Sequence, residues 1–158
     1  MWDGAATHLE VQALAPIEHP GEMAETIGNI AKQLSSSQFY KKAFFRIYKD
    51  EKITGERILK SLSAFQLTLI SSNAKYDSVI RKETAFTQQE KKGYELFKTN
   101  CNSCHQEPLF STFKFANNGL PVDSTLNDYG RYKVTKRSKD SLLFKIPTLR
   151  NLKYTFPY

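Results

Sequence analysis

The only two cysteines of this 158-residue chain lie three positions apart, and a histidine follows the second at once: Cys101-Asn102-Ser103-Cys104-His105. A C-x-x-C-H sequence is the attachment signature of c-type haem. The spacing has a mechanical reason. On a helical turn each thiol can form a thioether to one of the two haem vinyl groups, and the next residue then offers its imidazole to the iron as proximal ligand. Two other chemistries use the same residue types. A C-x-x-C redox pair sits between a strand and a helix of an α/β fold, whereas here a helix is expected before the motif and loops after it. A zinc site needs a fourth ligand, and His8 and His19 are far away in sequence. The motif therefore favours haem c, held by Cys101 and Cys104 with His105 on the iron.

The chain around the motif reads as helical. Thr87-Gln88-Gln89-Glu90 is a capping box, in which Thr87 and Glu90 satisfy free backbone amides reciprocally. The helix it opens carries Gly93, Tyr94, Leu96 and Phe97 and leads straight into Cys101. Gly93 and Phe97, one turn apart, offer a notch and an aromatic wedge. A further helix follows Thr54, since Ile58, Leu62, Phe65 and Leu69 share one face, with Asn73 as its stop. The pattern also predicts a short helix over 7–14 capped by Thr7, and a helix over Phe39 to Tyr48. Pro16 and Pro20 are expected to break the chain into a turn. Pro20 then opens a helix running through Met23, Ile27 and Ile30 to Leu34. From Glu107 onward the periodicity fades and Gly, Asn and Pro punctuate the sequence, which predicts loops with short helical turns. The class expected is all-α, with a long loop-rich last third and no internal repeat.

Hydrophobic residues make up 40% and charged residues 25%, ordinary globular usage that excludes a wholly disordered chain. The 11 Phe and 8 Tyr provide material for a core or for a large flat cofactor. The longest apolar stretch, Leu62 to Ile70, is interrupted by Ser63, Gln66 and Thr68, so no membrane span is expected. The formal charge is +7, but the basic residues are scattered, as in Lys41-Lys42, Lys91-Lys92 and Lys136-Arg137. Without a basic stripe or a recognisable binding module, they predict a solvated surface and no nucleic-acid partner. Nothing after Met1 reads as a signal peptide. Since haem c is attached outside the bacterial cytoplasm, the chain is expected to be a piece of a longer, exported product.

Several sequence blocks carry a resemblance. They are Trp2-Asp3-Gly4; the run Leu9-Glu10-Val11-Gln12-Ala13-Leu14-Ala15-Pro16-Ile17; Pro20-Gly21-Glu22-Met23; Asn117-Asn118-Gly119; and Asp128-Tyr129-Gly130-Arg131. Above all they include Lys145-Ile146-Pro147-Thr148-Leu149-Arg150-Asn151, followed by Thr155-Phe156-Pro157-Tyr158. In this order around the haem motif they resemble the di-haem cytochrome c peroxidase family, which includes MauG.

The resemblance implies a bacterial periplasmic enzyme with two cytochrome c-like domains. Hydrogen peroxide is reduced at one haem, and a small cytochrome c or cupredoxin delivers electrons through the other. Residues 1–83 would be the later part of the first, peroxidatic domain with the inter-domain helices. Residues 84–158 would be the second, electron-receiving haem domain, truncated. Trp2 resembles the tryptophan that assists electron transfer between the haems, and Gln12 and Glu22 match the distal-pocket pair beside the peroxide-binding haem. Thr155 and Pro157 match backbone carbonyls that hold an inter-domain calcium ion, and a homodimer is compatible with the family. Ala5, Ala15 and His19 depart from the residues usual at their positions. The first haem motif and the distal ligand of the second haem fall outside the sequence, so this chain by itself is expected to be inactive. The alternatives are a mono-haem electron-transfer domain, which has no need of Trp2, Gln12 and Glu22 together, and a MauG-like oxidase.

Overall fold

The computed structural model describes residues 1–155. The chain is mostly helical and divides into two compact units: Ala6–Ile70, and Met1–Ala5 together with the chain from Ser71 onward.

In the Ala6–Ile70 unit five helices follow one another: α1 (Leu9–Gln12), α2 (Leu14–Glu18), α3 (Ile27–Ser36), α4 (Gln38–Tyr48) and α5 (Gly55–Thr68). Two threonines set the starts of α3 and α5. The Thr26 hydroxyl accepts from the Asn29 amide at 3.2 Å and the Thr54 hydroxyl from the Arg57 amide at 3.3 Å, each satisfying an otherwise free N–H of the first turn. Phe44, Ile53 and Ile58 form the core, flanked by Ile27, Ile30, Ala31, Leu34 and Tyr48. Gly55 is required at the start of α5, because a Cβ there would stand 2.9 Å from Ile27 Cγ1.

Four sequence expectations are corrected in this unit. Pro16 does not break the chain; it is the third residue of α2, where its missing N–H has no intrahelical partner to lose. Pro20 does not open a helix. Residues 19–24 form a turn in which the His19 carbonyl accepts from the amides of Glu22 (3.0 Å) and Ala24 (3.1 Å), and Thr26 caps α3 instead. Thr7 is not a cap either, since His8 holds that position without a side-chain hydrogen bond. The helix after Thr54 ends at Thr68, before Asn73.

The unit that begins at Ser71 is built on α6 (Lys75–Ile80) and α7 (Gln88–Asn100), with a short α8 (Tyr132–Thr135) in its loop-rich part. Both arms of the capping box at Thr87 and Glu90 are formed, as the sequence predicts. α6, by contrast, leaves no periodic signature in six residues. A two-residue antiparallel ladder of β1 (Phe115–Ala116) and β2 (Phe144–Lys145) pairs Phe115 with Lys145 and Ala116 with Phe144, a small exception to an all-α chain. The first residues of the chain join this ladder's end, because the Lys145 amide donates to the Trp2 carbonyl at 2.7 Å. Among the described residues no helix is long and apolar enough to cross a membrane.

Candidate haem-attachment site

The helix opened by the capping box, α7, runs directly into the motif. The amides of Cys101 and Asn102 both donate to the Phe97 carbonyl, at 2.8 and 3.1 Å, and those of Cys104 and His105 to the Cys101 carbonyl, at 3.2 and 2.9 Å. Cys101 to His105 is thus one tight turn continuing α7. Both cysteines are free thiols, Cys101 exposed and Cys104 half-buried.

His105 is held by its backbone on one side and by its ring on the other. Its Nδ1 lies 3.1 Å from the Pro147 carbonyl oxygen and 3.3 Å from that of Phe110. Carbonyls only accept, so Nδ1 carries the proton and donates, and the neutral ring's lone pair is at Nε2. That is the tautomer an iron ligand needs. The two acceptors are themselves anchored. The Leu149 amide donates to the Phe110 carbonyl at 3.2 Å, the Ser111 hydroxyl to the Ile146 carbonyl at 2.6 Å, and the Thr148 hydroxyl to the Leu109 carbonyl at 2.6 Å.

An aromatic wall flanks the motif. Phe97 lies 5.4 Å from Phe110 between ring centroids, Phe110 lies 4.7 Å edge-on from Tyr76, and Tyr94 lies 5.3 Å from Phe86. The Tyr94 hydroxyl donates to Glu107 at 2.7 Å. This bond to a carboxylate, aided by burial, pushes the Tyr94 phenol up to about 12. Burial first, and then the same carboxylate, raises Tyr76.

These residues fit haem c. Two unpaired thiols on one turn, and an imidazole whose tautomer leaves Nε2 free, form the donor set that covalent haem requires. A Cβ added at Gly93 would meet nothing within 4 Å, so the α7 face bearing the expected notch is open. A bare ion fits less well, since no three His, Cys, Asp or Glu side chains converge among the described residues.

The remaining sequence-predicted residues are placed as follows. Trp2 is 57% exposed and, with Met1, Phe113, Lys145, Ile146 and Pro147, lines a shallow open cavity of about 190 Å³. The segment 145–147 therefore touches both Trp2 and, through the Pro147 carbonyl, His105. Gln12 is the last residue of α1 and half-buried, and Glu22 is exposed in the 19–24 turn; no hydrogen bond joins these two. Thr155 is exposed, and Pro157 lies outside the described residues. Sequence reasoning missed the roles of Phe110, Pro147 and Glu107, and it missed the buried Asp77, which pairs with Arg150 at 2.8 Å. The first two act through backbone carbonyls, which leave no side-chain signature. Asp77 lies on α6, which itself went unpredicted.

Comparison with known proteins identifies the family. The family model for di-haem cytochrome c peroxidase matches residues 1–85. Cytochrome c551 peroxidase of Nitrosomonas europaea is 34% identical over 99% of the chain and 48% of its own length. Cytochrome c peroxidase Ccp of Escherichia coli is 38% identical over 99% of the chain and 35% of its own length. Methylamine utilization protein MauG of Methylophilus methylotrophus is 35% identical over the whole chain and 48% of its own length. The chain thus spans about half or less of the length of these relatives. A solved structure of a MauG-like protein associated with microbial copper homeostasis superimposes with a TM-score of 0.81 at 25% identity, covering 99% of this chain and 54% of that one. This chain belongs to the di-haem cytochrome c peroxidase and MauG family.

Proposed function

We propose that the chain is part of a periplasmic di-haem cytochrome c peroxidase. In this reading, residues 84–158 form the electron-receiving haem domain and residues 1–83 belong to the peroxidatic domain and the inter-domain helices. The observation that carries the proposal is the His105 ring, whose Nδ1–H faces two carbonyls beside two free thiols. Cys101 and Cys104 would hold the haem through thioethers, and His105 would offer Nε2 to its iron. Haem supplies an iron centre that accepts and passes on single electrons.

The chain's own residues then divide the remaining work. Reduction of hydrogen peroxide consumes two electrons and two protons and yields two waters. The electrons come from a small cytochrome c or cupredoxin. Glu22 takes the proton from the near oxygen of peroxide and delivers it to the leaving oxygen, as a carboxylate within hydrogen-bond reach can. Gln12 donates an amide hydrogen bond that holds peroxide in place. Trp2, tied to the segment that also orients His105, would assist electron transfer between the haems of the whole enzyme. In the same reading, the family resemblance gives the backbone carbonyls of Thr155 and Pro157 to calcium.

The test is an absorption spectrum of the chain, produced with haem-maturation machinery and then denatured. A c-type haem spectrum that stays with the polypeptide supports the assignment. Its absence despite maturation would refute it. A MauG-like oxidase is the second reading, favoured by the near-equal identity of the chain to MauG (35%) and to the two peroxidases (34% and 38%). Peroxide turnover with a small redox protein as donor separates the two.

A further inference from the structure

We infer that Arg150 and Asp77 are a positioning pair for the His105 imidazole, and that they tune the haem it ligates. The inference rests on the reading of His105 as the iron ligand.

Every donor edge of the Arg150 guanidinium is used. Nη1 and Nη2 grip the two oxygens of Asp77 at 3.0 and 2.8 Å, a fork-to-fork pair. Nε and Nη2 both donate to the Pro108 carbonyl, at 3.0 and 2.7 Å, and Nη1 to the Ser71 carbonyl at 2.6 Å. The two side chains are only 14% and 10% exposed. The guanidinium carbon also lies 5.4 Å from the Phe110 ring centroid and 5.8 Å from that of Tyr76. Asp77 is fixed from behind, its Oδ2 accepting from the Ala74 amide at 2.9 Å.

What this grip holds is the pair of segments whose carbonyls orient His105. Arg150 belongs to the segment that contains Pro147, and it clamps Pro108, two residues before Phe110. Phe110 needs an outside hold, since its φ of +54° lies in the left-handed region that side chains disfavour. A generic staple would need one or two of these bonds. Here a rigid planar fork ties α6, the 108–110 turn and the 147–150 segment at once, and lysine, with a point charge, cannot reproduce it.

The consequence for haem follows from hydrogen bonding. Firm acceptors at Nδ1–H raise the electron density at Nε2 and make the imidazole a stronger donor, which favours the oxidised metal. Loosening the acceptors raises the potential.

The test compares Arg150→Lys, Asp77→Asn and a control, Thr87→Ala, in the haem-loaded protein. Thr87→Ala weakens α7 without touching the clamp. Two quantities are read: the midpoint potential of the haem attached at Cys101 and Cys104, and hydrogen exchange at His105 Nδ1–H by nuclear magnetic resonance. Arg150→Lys is expected to raise the potential and to accelerate exchange by about tenfold or more. Asp77→Asn, which keeps shape and volume, shifts both in the same direction and remains measurable if the arginine variant fails to fold. Thr87→Ala lowers stability and leaves both readings at wild-type values. Unchanged potential and exchange in the variant proteins with haem attached would overturn this inference alone, as would an equal change in Thr87→Ala. A wild-type chain without covalent haem would overturn the haem reading and this inference with it.

Discussion

The Nδ1 nitrogen of His105 lies 3.1 Å from the carbonyl oxygen of Pro147, 42 residues further along the chain. This contact sets the imidazole tautomer, and it joins the haem motif to the segment that also receives Trp2. A local motif thereby becomes a site through a bond that no local sequence window contains.

Replacing both cysteines, Cys101→Ser with Cys104→Ser, is expected to abolish covalent haem at this site. Neither hydroxyl can form the thioether. The measurement is a haem stain of the denatured polypeptide, and staining of the variant at wild-type intensity would contradict the assignment.

Glu22→Gln in the complete enzyme should reduce peroxide turnover by about a hundredfold or more, the scale of a general acid–base contribution. Glutamine keeps the size of the side chain and removes its proton-transfer capacity. Because Glu22 is exposed in a turn, the variant's unfolding midpoint should match wild type, so a fall in turnover would not be a folding defect. Wild-type turnover would remove Glu22 from the mechanism.

Thr87→Ala should destabilise the unit that contains α7 by about 1 kcal/mol in denaturant unfolding, the usual cost of losing an N-cap. The hydroxyl accepts from the Glu90 amide at 3.3 Å, while the Glu90 carboxylate accepts from the Thr87 amide at 2.7 Å, so the reciprocal arm remains. No change in unfolding free energy would show that the cap contributes nothing here.

Asp77 gives a pH dependence whose sign is determined. The Arg150 hydrogen bonds hold its carboxyl below the usual carboxylate range, against the opposing effect of burial and with help from the Ala74 amide. A carboxyl depressed by folding contributes stability that is present above its unfolded value and is lost as pH falls through its folded value. Unfolding measured from neutral to acid pH should therefore show an acid limb that Asp77→Asn flattens. At neutral pH the same variant, which leaves a buried guanidinium without its counter-charge, should lose about 3 kcal/mol. An acid limb of unchanged slope in Asp77→Asn would contradict this account.

Gly130→Ala should cost roughly 2 kcal/mol or more, combining a left-handed backbone with overpacking. Gly130 has φ +57°, and a Cβ there would collide with the Leu143 carbonyl. The measurement is again denaturant unfolding. A wild-type midpoint would mean that the loop relaxes at no cost.

Much of the helical framework was legible before any coordinates. The capping box at Thr87, the stripe after Thr54 and the helical pattern over Phe39 to Tyr48 are local signals, and α7, α5 and α4 follow them. Pro20 misled because Pro at a helix start is only a permission. The competing turn on the His19 carbonyl made Thr26 the cap instead. α6 went unread because six residues hold too few turns to show a period.

The sequence alone determined the donor set of the candidate site, since side-chain identity and a spacing of three residues are written in the motif itself. It also placed α7 against that motif, because capping and helix propagation are local. Tertiary structure alone decided which atoms orient His105, and that Arg150 reaches both Asp77 and Pro108. Backbone carbonyls are the same at every residue, so their selection depends on where distant segments are brought by packing, and pairwise spacing along the chain carries no record of it.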